Sequence, residues 1–270
     1  MSLLSKSYLL LISILLINLP IQAMEGGDRA EGLLTRTARA SQNFCYNLMA
    51  RTCWDSIVSG FQPGRRIALY QLNIQRSDRI LFIGEGTGLD FEVLPEGTPL
   101  HRVQALDFSP QMVAQAKRRA VQIGIPERNC FVADAQALPF TDERFDKIYF
   151  PLSLGSIPNP HLALREAERV LAADGVIVLF EKLVDDGYQP SLGRRFLNFI
   201  TQFVFANINR NLTQMMGIDS PLRIVHYQSL KGRFTGCFAS LAAPYYRIAT
   251  LVRINEHRDL SSVPAQIRRP

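Results

Sequence analysis

Histidine is scarce in this chain, four in 270 residues, and tryptophan occurs once. Cysteine is also sparse: Cys45, Cys53, Cys130 and Cys237 stand far apart and form no CxxC pair. That spacing argues against a thiolate metal site or a disulfide framework and leaves reduced structural thiols. No internal repeat or low-complexity segment is present, which sets aside solenoid and disordered classes. What remains is ordinary globular composition, 47% hydrophobic and 20% charged, enough for one sizeable core.

The first 23 residues, "MSLLSKSYLLLISILLINLPIQA", stand apart from that core. One early lysine, an apolar run from Tyr8 to Leu19, Pro20 and a small residue at Ala23 fit a secretory signal, and the run is short for a membrane span. An uncleaved membrane anchor, or a true start at Met24, are the competing expectations.

From 24 to 72 the sequence reads as a helical cap, with Phe44, Leu48, Ile57 and Phe61 near helical spacing. Strands and helices then alternate. "RILFIG", "VQALDFS", "NCFVADA", "FDKIYFPLSL" and "VIVLFEKL" read as five strands. Between them "SPQMVAQAKRRAVQIG" is a helix with Ser109 as N-cap, Pro110 at its first position and Gly124 past its end. "HLALREAERVLAADG" is expected to be a helix ending at Gly175. This rhythm predicts parallel crossovers and a Rossmann-like, doubly wound α/β sheet of seven strands. "LRIVHYQSL" and "YYRIATLVRI" supply an antiparallel C-terminal pair at its edge. The core domain is placed at 73–254, with a lid-like insertion at about 188–220 and a polar tail at 255–270. In the insertion, Phe196, Ile200, Phe203, Ile208, Leu212 and Met215 fall roughly along one helical stripe.

The chemistry-bearing signal is "ILFIGEGTG". Gly84, Gly86 and Gly88 are spaced GxGxG, and Leu89 occupies the place where a dinucleotide fingerprint needs its third glycine. Asp107 closes the second strand, where a carboxylate can accept from both hydroxyls of a ribose. Asp134 and Ala135 close the third, where an acid and the next N–H suit an adenine edge. Ligands of such sheets gather at these carboxyl ends.

Together "ILFIGEGTG", "ALDFSPQMVAQAK", "FVADAQALPFTDERFDKIYF" and "REAERVLAADGVIVLFE" resemble successive motifs of class I S-adenosylmethionine-dependent methyltransferases. The resemblance is to the ubiquinone/menaquinone C-methyltransferases and bacterial phosphatidylethanolamine N-methyltransferases, and it runs from about Tyr46 to Lys182. It implies S-adenosyl-L-methionine as cofactor and no metal. Gly84, Gly86 and Gly88 would cradle the methionine part, Asp107 the ribose, and Asp134 with Ala135 the adenine, with Phe108 and Met112 beside the ring. "YNLMARTCWD" resembles the group's capping helix and would bring Tyr46 and Trp54 near.

Two departures matter. Phe82 stands where the family carries an acid, and Glu85 is the nearby residue able to compensate. Gly155 and Ser156 stand where relatives often show a histidine, so no general base is evident; His226 and Tyr227 are the remaining candidates. The missing base leans towards N-methylation, since a neutral amine needs no strong base.

The segment Tyr188–Ile254 holds eight basic residues against one acid, Asp219, while the whole chain carries +6. A basic, Phe-rich helix at 194–216 suits contact with a membrane surface or closure over a pocket. The expectation is a small or lipid-like acceptor, favoured as a phospholipid amine, with an isoprenoid quinone precursor or a non-catalytic binding role as alternatives. Nucleic acid is not expected, since the arginines are spaced out. The catalytic domain is expected to be membrane-associated and to face the cytosol, where the cofactor is made, or to be soluble there if Met24 is the start.

Overall fold

The computed structural model describes residues 44–48, 54–204, 206–230 and 246–254. The signal-like segment 1–23 and the tail 255–270 lie outside them.

The strands are β1 (Ile80–Ile83), β2 (Val103–Asp107), β3 (Cys130–Val132), β4 (Phe145–Pro151), β5 (Leu171–Lys182), β6 (Leu222–Ser229) and β7 (Tyr246–Arg253). They form one seven-stranded sheet in the order β3-β2-β1-β4-β5-β7-β6. Strands β1 to β5 pair in parallel, whereas β7 runs antiparallel to both β5 and β6. The sheet order reverses between β1 and β4, where a cleft opens at the carboxyl ends.

Burial on both faces explains the near-continuous apolar strands. Ile80 and Phe82 of β1 face one core with Leu69, Leu72, Ala116 and Ala120. Leu81 and Ile83 face the other, with Ala163, Leu164, Ala167, Leu212 and Met215. The helices are α1 (Trp54–Val58), α2 (Gln62–Gln71), α3 (Pro110–Ile123), α4 (Pro160–Val170), α5 (Leu192–Val204) and α6 (Leu212–Met216). Thus α2 and α3 cover one face, α4 and α6 the other.

Helix α3 starts and stops where its sequence says it must. Ser109 Oγ accepts from Met112 N at 3.1 Å, Pro110 opens the first turn, and Gly124 at φ 95° closes the last.

Two expectations need correction. The helix before β5 ends at Val170, and Leu171 is already extended (φ −76°, ψ 128°). Residues 171–175 join β5 through a large bulge: Phe145 pairs with Leu171, but Lys147 pairs with Val176. The other correction falls in the insertion, where one helical stripe becomes two helices. Asparagines within α5 and at the start of α6 compete with the helix for backbone partners. Asn198 Oδ1 accepts from Ile208 N at 2.6 Å, and Asn211 caps α6 by accepting from Gln214 N at 3.0 Å. Phe196 is consequently exposed, while Leu212 and Met215 are buried.

Candidate functional site

A cavity of about 500 Å³ lies at the carboxyl ends of the parallel strands. The glycine-rich loop after β1 forms one wall, and its three glycines do different work. A Cβ on Gly84 would stand 2.3 Å from Ser153 Cβ, and φ there is +74°. This glycine lets the β1 loop lie against the β4 loop, where Ser153 Oγ donates to Ile83 O at 2.6 Å. Only Gly86 opens freely towards the cavity, its nearest neighbour in that direction being Trp54 Nε1 at 3.7 Å. Gly88 lies outside the cavity lining and approaches Ala116 Cα closely, at 3.1 Å from its would-be Cβ. It packs the loop onto α3.

Asp107 ties the loop to β2. Its Oδ2 accepts from Gly86 N at 2.9 Å and its Oδ1 from Ser109 N at 2.8 Å. Since Ser109 provides the helix cap, the carboxylate is spared that duty and lines the cavity with lone pairs left to accept. Burial raises its pKa, and the N–H donors of Ser109, Gly86 and Phe108 oppose the rise. Phe108, Met112, Asp134 and Ala135 line the same end. Asp134 Oδ1 accepts from Gln136 N at 2.9 Å, a turn contact, and Gln136 Nε2 donates to Oδ1 at 2.9 Å and to Oδ2 at 3.2 Å.

Over this wall sits α1. Asp55 accepts from Thr87 Oγ1 at 2.6 Å and from Arg119 Nη2 at 2.5 Å, which fixes the helix above the glycine loop. Trp54 therefore faces the cavity, and Tyr46 meets it edge-on at 5.2 Å between centroids. The Tyr46 hydroxyl shares a 2.7 Å hydrogen bond with Ser156, the residue standing near the expected histidine position.

Phe82 is fully buried between Phe91 and Tyr149 at centroid distances of 5.8 and 5.4 Å. It presents nothing to the cavity. Glu85, only 5% exposed, lines it instead. Its Oε1 accepts from Asp90 N at 3.2 Å, and its Oε2 has no hydrogen-bond partner among the described residues. Burial holds this carboxyl well above the usual carboxylate range; the Asp107 charge adds to the rise and Arg65 opposes it. Arg65, buried and ion-paired to Asp90, has an unpartnered Nε and also lines the cavity.

The opposite end is built from the β4 loop, the end of β5 and the insertion. Leu152 there takes a left-handed φ of 57°, a strained conformation for a branched side chain. Its N–H donates to Phe180 O at 2.7 Å, anchoring the strained turn to β5. Lys182, Arg194, Leu197, Thr201, Ala206 and Ile208 complete this wall. Lys182, Arg65 and Ser153 carried no sequence-based expectation. The one signal for Lys182 was its place at the carboxyl end of an apolar strand. His226 and Tyr227 are not brought to the cavity: His226 is buried on β6, and Tyr227 donates to Asp185 at 3.1 Å. No cluster of metal-ligating side chains occurs among the described residues.

Fold and cleft define a doubly wound α/β domain with its cavity at the switch in strand order, where sheets of this kind bind their ligands. Residues 81–179 match the family described as "Methyltransferase domain". The chain is 32% identical over 125 residues to a phosphatidylethanolamine N-methyltransferase of Cereibacter sphaeroides, covering 46% of this chain and 59% of that protein. It is 39% identical over 103 residues to a demethylmenaquinone methyltransferase of Thermus thermophilus, covering 38% and 46%. The chain thus spans about half the length of these relatives. Among solved structures, geranyl diphosphate C-methyltransferase from Streptomyces coelicolor superposes with a TM-score of 0.58 at 18% identity, over 71% of this chain and 78% of that one. Residues 81–179 thus resemble a methyltransferase domain, in the stretch where the sequence motifs pointed.

Proposed function

We propose that this chain transfers a methyl group from S-adenosylmethionine to an amphiphilic acceptor, with a phospholipid amine favoured. The observation that carries the reading is one cavity with two unlike ends: a glycine and carboxylate end after β1, β2 and β3, and an apolar end with two cations after β4 and β5. At the first end the residues fit the cofactor. Asp107 would accept from the ribose hydroxyls and Asp134 from the exocyclic amine, with the Ala135 N–H on the ring and Met112 and Phe108 against its faces. Tyr46 and Trp54 close the site from above. The bare backbone of Gly86 leaves room for the aminoacyl chain, while Gly84 lets the β4 loop pack close and Gly88 packs the loop onto α3. The partnerless Glu85 Oε2 accepts from the ammonium group, which replaces the acid missing at Phe82. The cofactor supplies an electrophilic methyl group. The chain's part is alignment and exclusion of water, which together can supply roughly 7–11 kcal/mol.

At the second end, a phospholipid amine can arrive neutral and needs no base, and its neighbouring phosphate suits Lys182 and Arg194. A quinone precursor is the second reading, supported by the name of the Thermus thermophilus relative and by Lys182 beside an apolar wall. Helix α5 supports a membrane source for either acceptor. Its cavity side carries Arg194, Leu197 and Thr201, while Leu192 (81% exposed), Phe196 (68%) and Phe199 (45%) form an exposed apolar stripe outside. A helix with an apolar stripe and flanking Arg194 and Arg195 is suited to lie in an anionic bilayer surface. In this reading the domain docks on the cytosolic leaflet. None of the described helices is long and apolar enough to cross a membrane.

The test is methyl transfer from radiolabelled S-adenosylmethionine by the full chain to phosphatidylethanolamine vesicles and to a dispersed demethylated quinol. Label in either lipid supports the enzyme reading and names the acceptor. Label in neither, from a chain that binds the cofactor, favours a non-catalytic binding role. Leu192→Ser/Phe196→Ser should lower sedimentation with anionic vesicles; unchanged sedimentation removes the docking helix.

A further inference from the structure

The apolar end of the cavity contains an ammonium group that makes no direct ion pair with any described carboxylate. Lys182 is the last residue of β5 and lines the cavity wall. Its Nζ lies 5.5 Å from the centroid of the Tyr246 ring, and among the described residues it has no ion pair and no side-chain hydrogen bond. The acid beside it, Glu181, is turned elsewhere. Glu181 Oε1 accepts from Lys182 N at 2.9 Å and Oε2 from Gly155 N at 3.1 Å, so this carboxylate anchors the β4 loop and is absent from the cavity wall. Burial depresses the Lys182 pKa, with Glu181 opposing. A cation held in an apolar wall without a counter-ion is costly unless a guest brings the negative charge.

The wall is also polarised. Its acids, Glu85, Asp107 and Asp134, follow β1, β2 and β3, on one side of the switch in strand order. Lys182 and Arg194 come from β5 and the helix after it, on the other side. Arg194 donates to Asn209 Oδ1 at 2.7 Å and to Ile208 O at 2.5 Å, which holds its guanidinium at that end. Leu152, Ile157, Pro158, Leu197 and Ile208 line the same cavity.

We propose that Lys182 binds an anionic oxygen of the methyl acceptor, which is therefore an apolar-bodied molecule bearing a phosphate or an ionised ring hydroxyl near the atom methylated. The proposal rests on the methyltransferase reading and narrows its acceptor. A purely structural lysine, stacked on Tyr246, would be indifferent to the charge of the guest.

Trp54 is the chain's single tryptophan and lines the cavity, so its fluorescence reports occupancy. The full chain, saturated with S-adenosylhomocysteine, is titrated with an alkylated 4-nitrophenol, with the methyl ether of that phenol, and with dihexanoylphosphatidylethanolamine. Lys182→Met should weaken at least one anionic probe roughly ten- to a hundredfold, the worth of a hydrogen bond to a charged group. Lys182→Arg keeps the charge and should stay within about threefold of wild type, and the ether should bind all three proteins alike. If the phenol is the probe affected, its phenolate absorbance should rise on binding wild type and not on binding Lys182→Met, which assigns a ring oxyanion. If only the phospholipid is affected, the oxygen is a phosphate. Equal binding of both probes to wild type and Lys182→Met overturns the proposal, as does a wild type that takes neither. Folding of each variant is read from its own S-adenosylhomocysteine titration, and Lys182→Gln replaces methionine if that variant unfolds. A wild type that fails to bind S-adenosylhomocysteine instead removes the methyltransferase reading itself.

Discussion

Glu85→Gln should push stability and cofactor affinity in opposite directions. In the protein without cofactor, the Glu85 carboxyl is nearly fully buried with one oxygen unpartnered, and burial holds its pKa well above the ordinary value of 4.5. A carboxyl whose pKa is raised on folding adds stability that is complete below its unfolded pKa and is lost as pH rises through the folded value. Stability should therefore decline as pH rises above about 4.5, by about 1.4 kcal/mol per pH interval of one, until the folded-state pKa is passed. Glutamine cannot ionise, and its amide oxygen can still accept from Asp90 N. The variant should lose that slope and melt a few degrees higher at neutral pH, about 2–4 °C per kcal/mol for a domain of this size. Its affinity for S-adenosylmethionine should fall by about 1.5–3 kcal/mol, because a charge-assisted hydrogen bond to the ammonium is lost. Wild type should also release a proton on binding, seen as a dependence of the calorimetric enthalpy on buffer ionisation, and the variant should not. A variant with wild-type affinity and an unchanged pH slope would refute the role given to Glu85.

Gly84→Ala should destabilise the domain by about 2–5 kcal/mol, combining overpacking against Ser153 with left-handed strain. Gly97→Ala, at φ +82° with open space around it, should show only the strain, about 1–2 kcal/mol, and comparing the two melts separates the causes. Arg65→Ala leaves Asp90 buried without its counter-charge and should cost about 3–5 kcal/mol; Arg65→Met/Asp90→Leu should recover much of it in denaturant titrations. Asp146 is held below its ordinary pKa of 3.8, first by the Arg79 side-chain hydrogen bond. Its contribution is present above pH 3.8 and is lost as pH falls through the folded value. Because both side chains are about a third exposed, Asp146→Asn should cost only about 1 kcal/mol at neutral pH, with acid unfolding less steep.

Much of the fold was legible because strand residues here are buried on both faces and punctuated by capping signals. Ser109, Pro110 and Gly124 bound α3 where the sequence placed them. The bulge at 171–175 was not legible, since "LAADG" continues a good helical pattern and only pairing with β4 draws Leu171 into the sheet. The break between α5 and α6 was hidden for a related reason. Its asparagines make contacts within the insertion that apolar periodicity does not register. In the candidate site, Asp107, Asp134 and Gly86 were readable as strand-end residues with unusual chemistry. Gly88 was grouped with the other two by spacing alone, yet three-dimensional packing sends it to α3. Lys182 and Arg65 escaped because which acids stand near a cation, none in direct contact for Lys182 and Asp90 for Arg65, is a property of the folded wall.

The central claim is that the cleft after β1, β2 and β3 holds S-adenosylmethionine through Asp107. Calorimetric titration of S-adenosylmethionine and S-adenosylhomocysteine into the full chain, with Asp107→Ala beside it, tests this most directly. Micromolar binding of both by wild type, weakened at least tenfold in the variant, is the predicted result. A folded wild type that binds neither compound, or a variant that binds as wild type does, would contradict it.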